Sequence, residues 1–68
     1  MIQFFSKDNI LVIINEELES VYAKKTWYGS YRLCLDTRKN SYTFFYREVE
    51  SIRQAIDMIK ESVILNAQ

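Results

Sequence analysis

The chain has 68 residues, 49% hydrophobic and 26% charged, with nine basic side chains balanced by nine acidic ones. That is ordinary globular composition; it excludes a disordered or fibrous chain and predicts one small domain over residues 1–68. With no histidine, one cysteine and one glycine, Ser-His-Asp and Cys-His catalysis, histidine-ligated metals, structural zinc and glycine-rich phosphate cradles are closed; carboxylate catalysis survives on composition, but the acids, Glu16 among them, read as solvated surface, so neither a cofactor nor enzymatic activity is expected.

A lone Cys34 cannot close an intrachain disulfide, and the first residues show no basic segment followed by a sustained apolar stretch. The longest aliphatic run, Ile10 to Ile14, is five residues where roughly 20 are needed to span a bilayer. A cytoplasmic protein with no membrane contact is expected. A chain this short buries only about 60% of the surface exposed when it is unfolded, and self-association would relieve the thin margin.

In chain order, Ile2 to Phe5 and Ile10 to Ile14 flank Ser6-Lys7-Asp8-Asn9, which reads as a turn between two strands. The second run is apolar on both faces, which suits the middle of a sheet or a contact with a partner. Residues 15–28 support two readings. As a helix, Asn15 caps it, Leu18, Val21 and Tyr22 form a stripe, and Lys24 and Lys25 complement the dipole, giving a short helix at 16–24. As a strand, the preferred reading, a loop Tyr28-Gly29-Ser30 sets Trp27 opposite Tyr31 and sends Val21, Ala23 and Trp27 to the core.

Tyr31 to Asp36 and Ser41 to Arg47 are strand-like and separated by Thr37-Arg38-Lys39-Asn40, a hairpin loop. Antiparallel pairing across that loop opposes Leu35 with Tyr42, Leu33 with Phe44 and Tyr31 with Tyr46 on one apolar face. The other face receives Asp36 with Ser41, Cys34 with Thr43, Arg32 with Phe45 and Ser30 with Arg47. A slip of one residue would mix the classes, so the pattern specifies the register. Beyond it, Val49, Ile52, Ile56, Ile59 and Val63 recur at spacings of three and four, with Ala55 and Met58 widening the stripe. A helix from Ser51 to Leu65 follows, with Ser51 and Gln54 as a capping box. The predicted fold is α+β: an antiparallel sheet of four to five strands in meander order with one amphipathic C-terminal helix on one face.

Charge is segregated although it sums to zero. Residues 24–47 carry six bases and one acid, net +5, together with seven of the ten aromatic residues. Basic side chains hold phosphates and aromatic faces stack on bases. The candidate binding surface is therefore Lys24, Tyr28, Arg32, Arg38, Lys39, Phe45 and Arg47, with Tyr31, Tyr42, Phe44 and Tyr46 assigned to the core. A second signal is apolar surplus: Ile2, Phe4, Phe5, Leu11, Ile13, Ile64 and Leu65 exceed what one helix on one sheet face needs, which points to an interface unless the first hairpin folds over the core. The expected function is a non-enzymatic interaction module, homodimeric, that binds another protein as a regulator or inhibitor. The alternative is a single-stranded nucleic-acid binder using residues 24–47.

Overall fold

The computed structural model describes residues 1–66, in the order β1 (Ile2–Phe5), β2 (Leu11–Ile14), β3 (Leu18–Lys25), β4 (Tyr31–Thr37), β5 (Ser41–Tyr46) and α1 (Val49–Asn66). The α+β class, the antiparallel strands and the C-terminal helix are as the sequence predicts. The strands divide between two sheets: a ribbon β1-β2 and a meander β3-β4-β5. A helix about 10 Å across cannot cover three strands, and the ribbon covers the remainder. Ile2, Phe4 and Ile14 of the ribbon join Leu33, Leu35 and Tyr46 of the meander and Ile52, Ala55 and Ile59 of α1 in one core. Phe4 meets Phe44 edge-on at 5.0 Å between ring centroids. Burial of each large aliphatic here contributes about 1.5–3 kcal/mol.

The β4–β5 register matches the arithmetic: Leu35 lies opposite Tyr42, Leu33 opposite Phe44, Tyr31 opposite Tyr46 and Arg32 opposite Phe45. Leu33, Leu35 and Tyr46 are buried beneath α1 and the ribbon, while Arg32 and Phe45 face away. Residues 18–25 form a strand, and the helix at 16–24 is not realised. The spacing that imitated a helix has a local cause. The ladder shifts between Leu18 and Ser20, so Leu18 pairs with Thr37 and Ser20 with Asp36. The extra residue of this bulge lets Leu18 and Val21, three apart, both pack on the core.

The β3–β4 register differs from expectation by two residues. Lys25, not Trp27, lies opposite Tyr31, and the loop is Trp27-Tyr28-Gly29, closed by Thr26 N–H donating to the Ser30 carbonyl at 2.9 Å. Gly29 has φ of +88°, and a three-residue hairpin loop needs its left-handed residue last, which moves the loop one position upstream. Trp27 therefore leaves the core face and is 94% exposed, and Ala23 is also exposed. The β1–β2 loop repeats the device with Asn9 at φ of +59°, a residue that tolerates this region.

α1 begins at Val49, two residues before the expected start, with Ile52 N–H donating to the Glu48 carbonyl at 3.4 Å. Ser51 thus lies within the first turn and the Ser51–Gln54 capping box does not form. Glu48 and Glu50 instead place negative charge at the positive end of the helix dipole. Val49, expected at the head of the stripe, is exposed; the buried line is Ile52, Ala55 and Ile59, flanked by Ile56, Met58 and Val63. Ser62 sits toward β1, where its Oγ accepts Gln3 N–H at 3.2 Å and donates to the Ile59 carbonyl at 2.8 Å. Among the described residues, no helix is long and apolar enough to cross a membrane.

Candidate functional site

Lys24, Arg32 and Phe45 lie side by side across β3, β4 and β5 on the face away from α1. Only the row Lys25–Tyr31–Tyr46 stands between them and the β3–β4 turn that carries Tyr28. Arg47 follows β5 directly, and a groove of about 300 Å³ joins it to Lys7, Tyr28 and Phe45, with Ser30 and Tyr46 completing the lining. Tyr28 and Phe45 are half exposed. Trp27 extends the aromatic surface, edge-on to Tyr28 at 5.3 Å between centroids. Lys24 Nζ sits 5.5 Å from the centroid of the Tyr22 ring, a cation–π contact. Arg32 is half-buried, and its Nε is buried with no hydrogen-bond partner among the described residues.

Arg38 and Lys39 do not join this group. They occupy the β4–β5 loop at the other end of β4, roughly 20 Å away for a strand of that length. There Arg38 donates to the Glu17 carboxylate at 3.2 Å, and its backbone N–H donates to the Glu17 carbonyl at 3.1 Å.

That far end is a polar knot. The Glu16 carboxylate accepts hydrogen bonds from the Thr37 hydroxyl at 2.7 Å, the Asn40 amide at 3.0 Å and the Tyr42 phenol. Thr37 Oγ1 also accepts from the backbone N–H of Lys39 and Asn40. These donors, Tyr42 foremost, hold Glu16 below the usual carboxylate range, and the same contact pushes the Tyr42 phenol up. Composition gives Glu16 the reading of a solvated acid; its partners lie 21 to 26 residues away, and no local pattern announces them. With these three hydrogen bonds, Glu16 ties the link from β2 to β3 to the β4–β5 hairpin.

The second surface is the ribbon's outer side. Of the apolar surplus, Ile2 and Phe4 are buried, while Phe5, Leu11, Ile13 and Ile64 are exposed; the side chain of Leu65 lies outside the described residues. β2 lies at an edge, not mid-sheet: it pairs with β1 and with no other described strand. Gln3 N–H goes to Ser62 and the Phe5 carbonyl accepts from the Tyr46 hydroxyl at 2.7 Å, so the odd residues of β1 aim their backbone groups away from β2. By alternation, Leu11 and Ile13 aim theirs at the open edge. Ile10, Leu11 and Ile13 are 64%, 47% and 54% exposed, and β2 contains no charge or proline of the kind that usually blunts an edge. The free edge of β3, by contrast, carries exposed Glu19, Lys24 and Lys25.

Compared with known proteins, the chain matches no family model, and no curated protein or solved structure matches it significantly.

Proposed function

We propose that this chain is a non-enzymatic interaction module of the cytoplasm that self-associates through β2 and binds a target protein as a regulator or inhibitor. The observation that carries the reading is the open, wholly apolar edge of β2. Antiparallel pairing of two copies about an axis at Val12 opposes Leu11 with Ile13 of the second copy and Ile10 with Ile14. Every opposed pair is apolar. Leu11 and Ile13 already direct their backbone groups outward, so each Leu11–Ile13 pair exchanges two hydrogen bonds. The result is one continuous sheet with Phe5, Leu11 and Ile13 of both copies on a shared face, a surface suited to a protein target. The free, half-buried Cys34 fits a reducing compartment.

Light scattering coupled to size exclusion tests this. The expected mass is twice the 8.2 kDa of the chain. Ile13→Lys, at an exposed position, is expected to return the single-chain mass with an unchanged circular dichroism spectrum. A wild-type mass of one chain at millimolar concentration overturns the reading.

A further inference from the structure

The groove beside the β3–β4 turn is chemically unlike the β2 edge, and nothing in the self-association reading uses it. It has two aromatic walls, Tyr28 and Phe45, and two cations at its rim, Lys7 and Arg47. Arg32 lies one strand over from Phe45, beside the groove's own lining, and its buried Nε has no hydrogen-bond partner among the described residues. None of Lys7, Arg32 and Arg47 has an ion-pair partner among the described residues. Asp8 and Glu48 share a separate depression with Lys7, Arg47 and Ser51, and among the described residues no acid lines the aromatic groove.

We infer that this groove binds single-stranded nucleic acid, with a base stacked against Tyr28 and Phe45 and the flanking phosphates held by Lys7, Arg47 and Arg32. The occupant follows from the chemistry of the walls. An acidic peptide would use the cations but leave two half-exposed rings without a flat partner. A duplex buries its base faces in its own stack and offers the rings nothing. Only an unpaired strand presents a flat π-surface and an anion in every repeat. Lys7 belongs to an otherwise acid-rich stretch of sequence, and the fold alone brings it to the basic centre.

The probe is a fluorescently labelled oligodeoxythymidine of about ten nucleotides, titrated with the full chain and followed by anisotropy. The emission of Trp27, the sole tryptophan, gives a label-free readout because its ring adjoins Tyr28. Three neutralised phosphates predict a slope of log affinity against log salt of about −2, or roughly a 20-fold loss between 50 and 200 mM salt. Tyr28→Ala and Phe45→Ala are each expected to weaken binding about 5- to 150-fold, with melting curves showing both variants folded. Arg47→Ala is expected to flatten the salt slope by about 0.7. An abasic phosphodiester of equal length is expected to bind at least tenfold more weakly, as is poly-glutamate. Absence of wild-type binding at low salt overturns the inference. So does equal affinity for the abasic strand or poly-glutamate, which would assign the patch to anions in general, and so does full affinity in both aromatic variants.

Discussion

Replacing Tyr46 by phenylalanine removes one oxygen from the seam between the two sheets. The side chain is 1% exposed and its hydroxyl donates to the Phe5 carbonyl at 2.7 Å, so the variant leaves that carbonyl without its partner, at a cost of about 1–3 kcal/mol. Unfolding entropy scales at about 2.1 cal/mol/K per residue, or roughly 0.14 kcal/mol/K for this chain, and the melting temperature should therefore fall by roughly 7–20 °C. The pH dependence sharpens the test. Burial pushes the Tyr46 phenol from about 10 up to about 12. A raised pKa contributes stability that is present below the unfolded value of about 10 and is lost as pH climbs through about 12, because the unfolded phenol ionises first. Tyr46→Phe has no such group to lose. Thermal melts of both proteins at one protein concentration should show the wild type ahead at neutral pH, and the gap narrowing by on the order of 1 kcal/mol at about pH 11. An unchanged melting temperature at neutral pH would refute the hydrogen bond as a tie between the sheets, and a gap that stays constant into alkali would refute the burial of the phenol as the cause of its raised pKa.

Three further outcomes follow from the structure. Glu16 is held low by its hydrogen bonds, so the stability it confers is complete above the ordinary carboxylate range and lost as pH falls through and below it; urea midpoints should drop less steeply in acid for Glu16→Gln than for the wild type. Gly29→Ala meets open space but keeps φ at +88°, so backbone strain alone should cost about 1 kcal/mol, seen as a lower melting temperature, with Gly29→Asn less affected. Leu33→Ala, at a fully buried position, should cost about 2–5 kcal/mol from a total of only about 3–10 kcal/mol for a chain of this size, and chemical denaturation should show the midpoint halved or the transition gone.

The parts of the fold legible in the sequence are those where side-chain parity and backbone geometry agree. Leu33 and Phe44 share a face only in registers of one parity, and the four-residue loop Thr37–Asn40 selects among these, so the β4–β5 hairpin can be read by counting. Parity is blind to a shift of two residues, and this is how Trp27 comes to be expected in the core. The deciding fact is the left-handed conformation of Gly29, a property of the loop and not of the strands. The bulge at Leu18–Ser20 defeats counting in another way, by placing residues three apart on one face and imitating a helix. The helix stripe from Ile52 to Val63 is plain, but its start is not: Ser51 offers a side-chain cap, and the chain begins its turn at Val49 with acidic residues instead. Of the candidate surface, Arg32 opposite Phe45 is a direct corollary of the β4–β5 register, and Lys24 shares their face because a shift of two residues leaves parity unchanged. Arg38 and Lys39 are near in sequence and far in space, and Lys7 is the reverse. Glu16 is the most instructive case, since a carboxylate in a short charged link shows nothing of the threonine, asparagine and tyrosine that converge on it from the β4–β5 hairpin.

The hydrogen bond from Gln3 N–H to Ser62 Oγ fastens one of the earliest strands to a late turn of the helix, 59 positions further on. During translation, Ile2 and Phe4 have no helix to shelter them until α1 has followed them out of the ribosome, and pairing between such distant partners slows folding. A nascent chain that stalls before α1 therefore presents a greasy, unprotected hairpin to chaperones and proteases. The helix acts as the clasp that makes the hairpin safe.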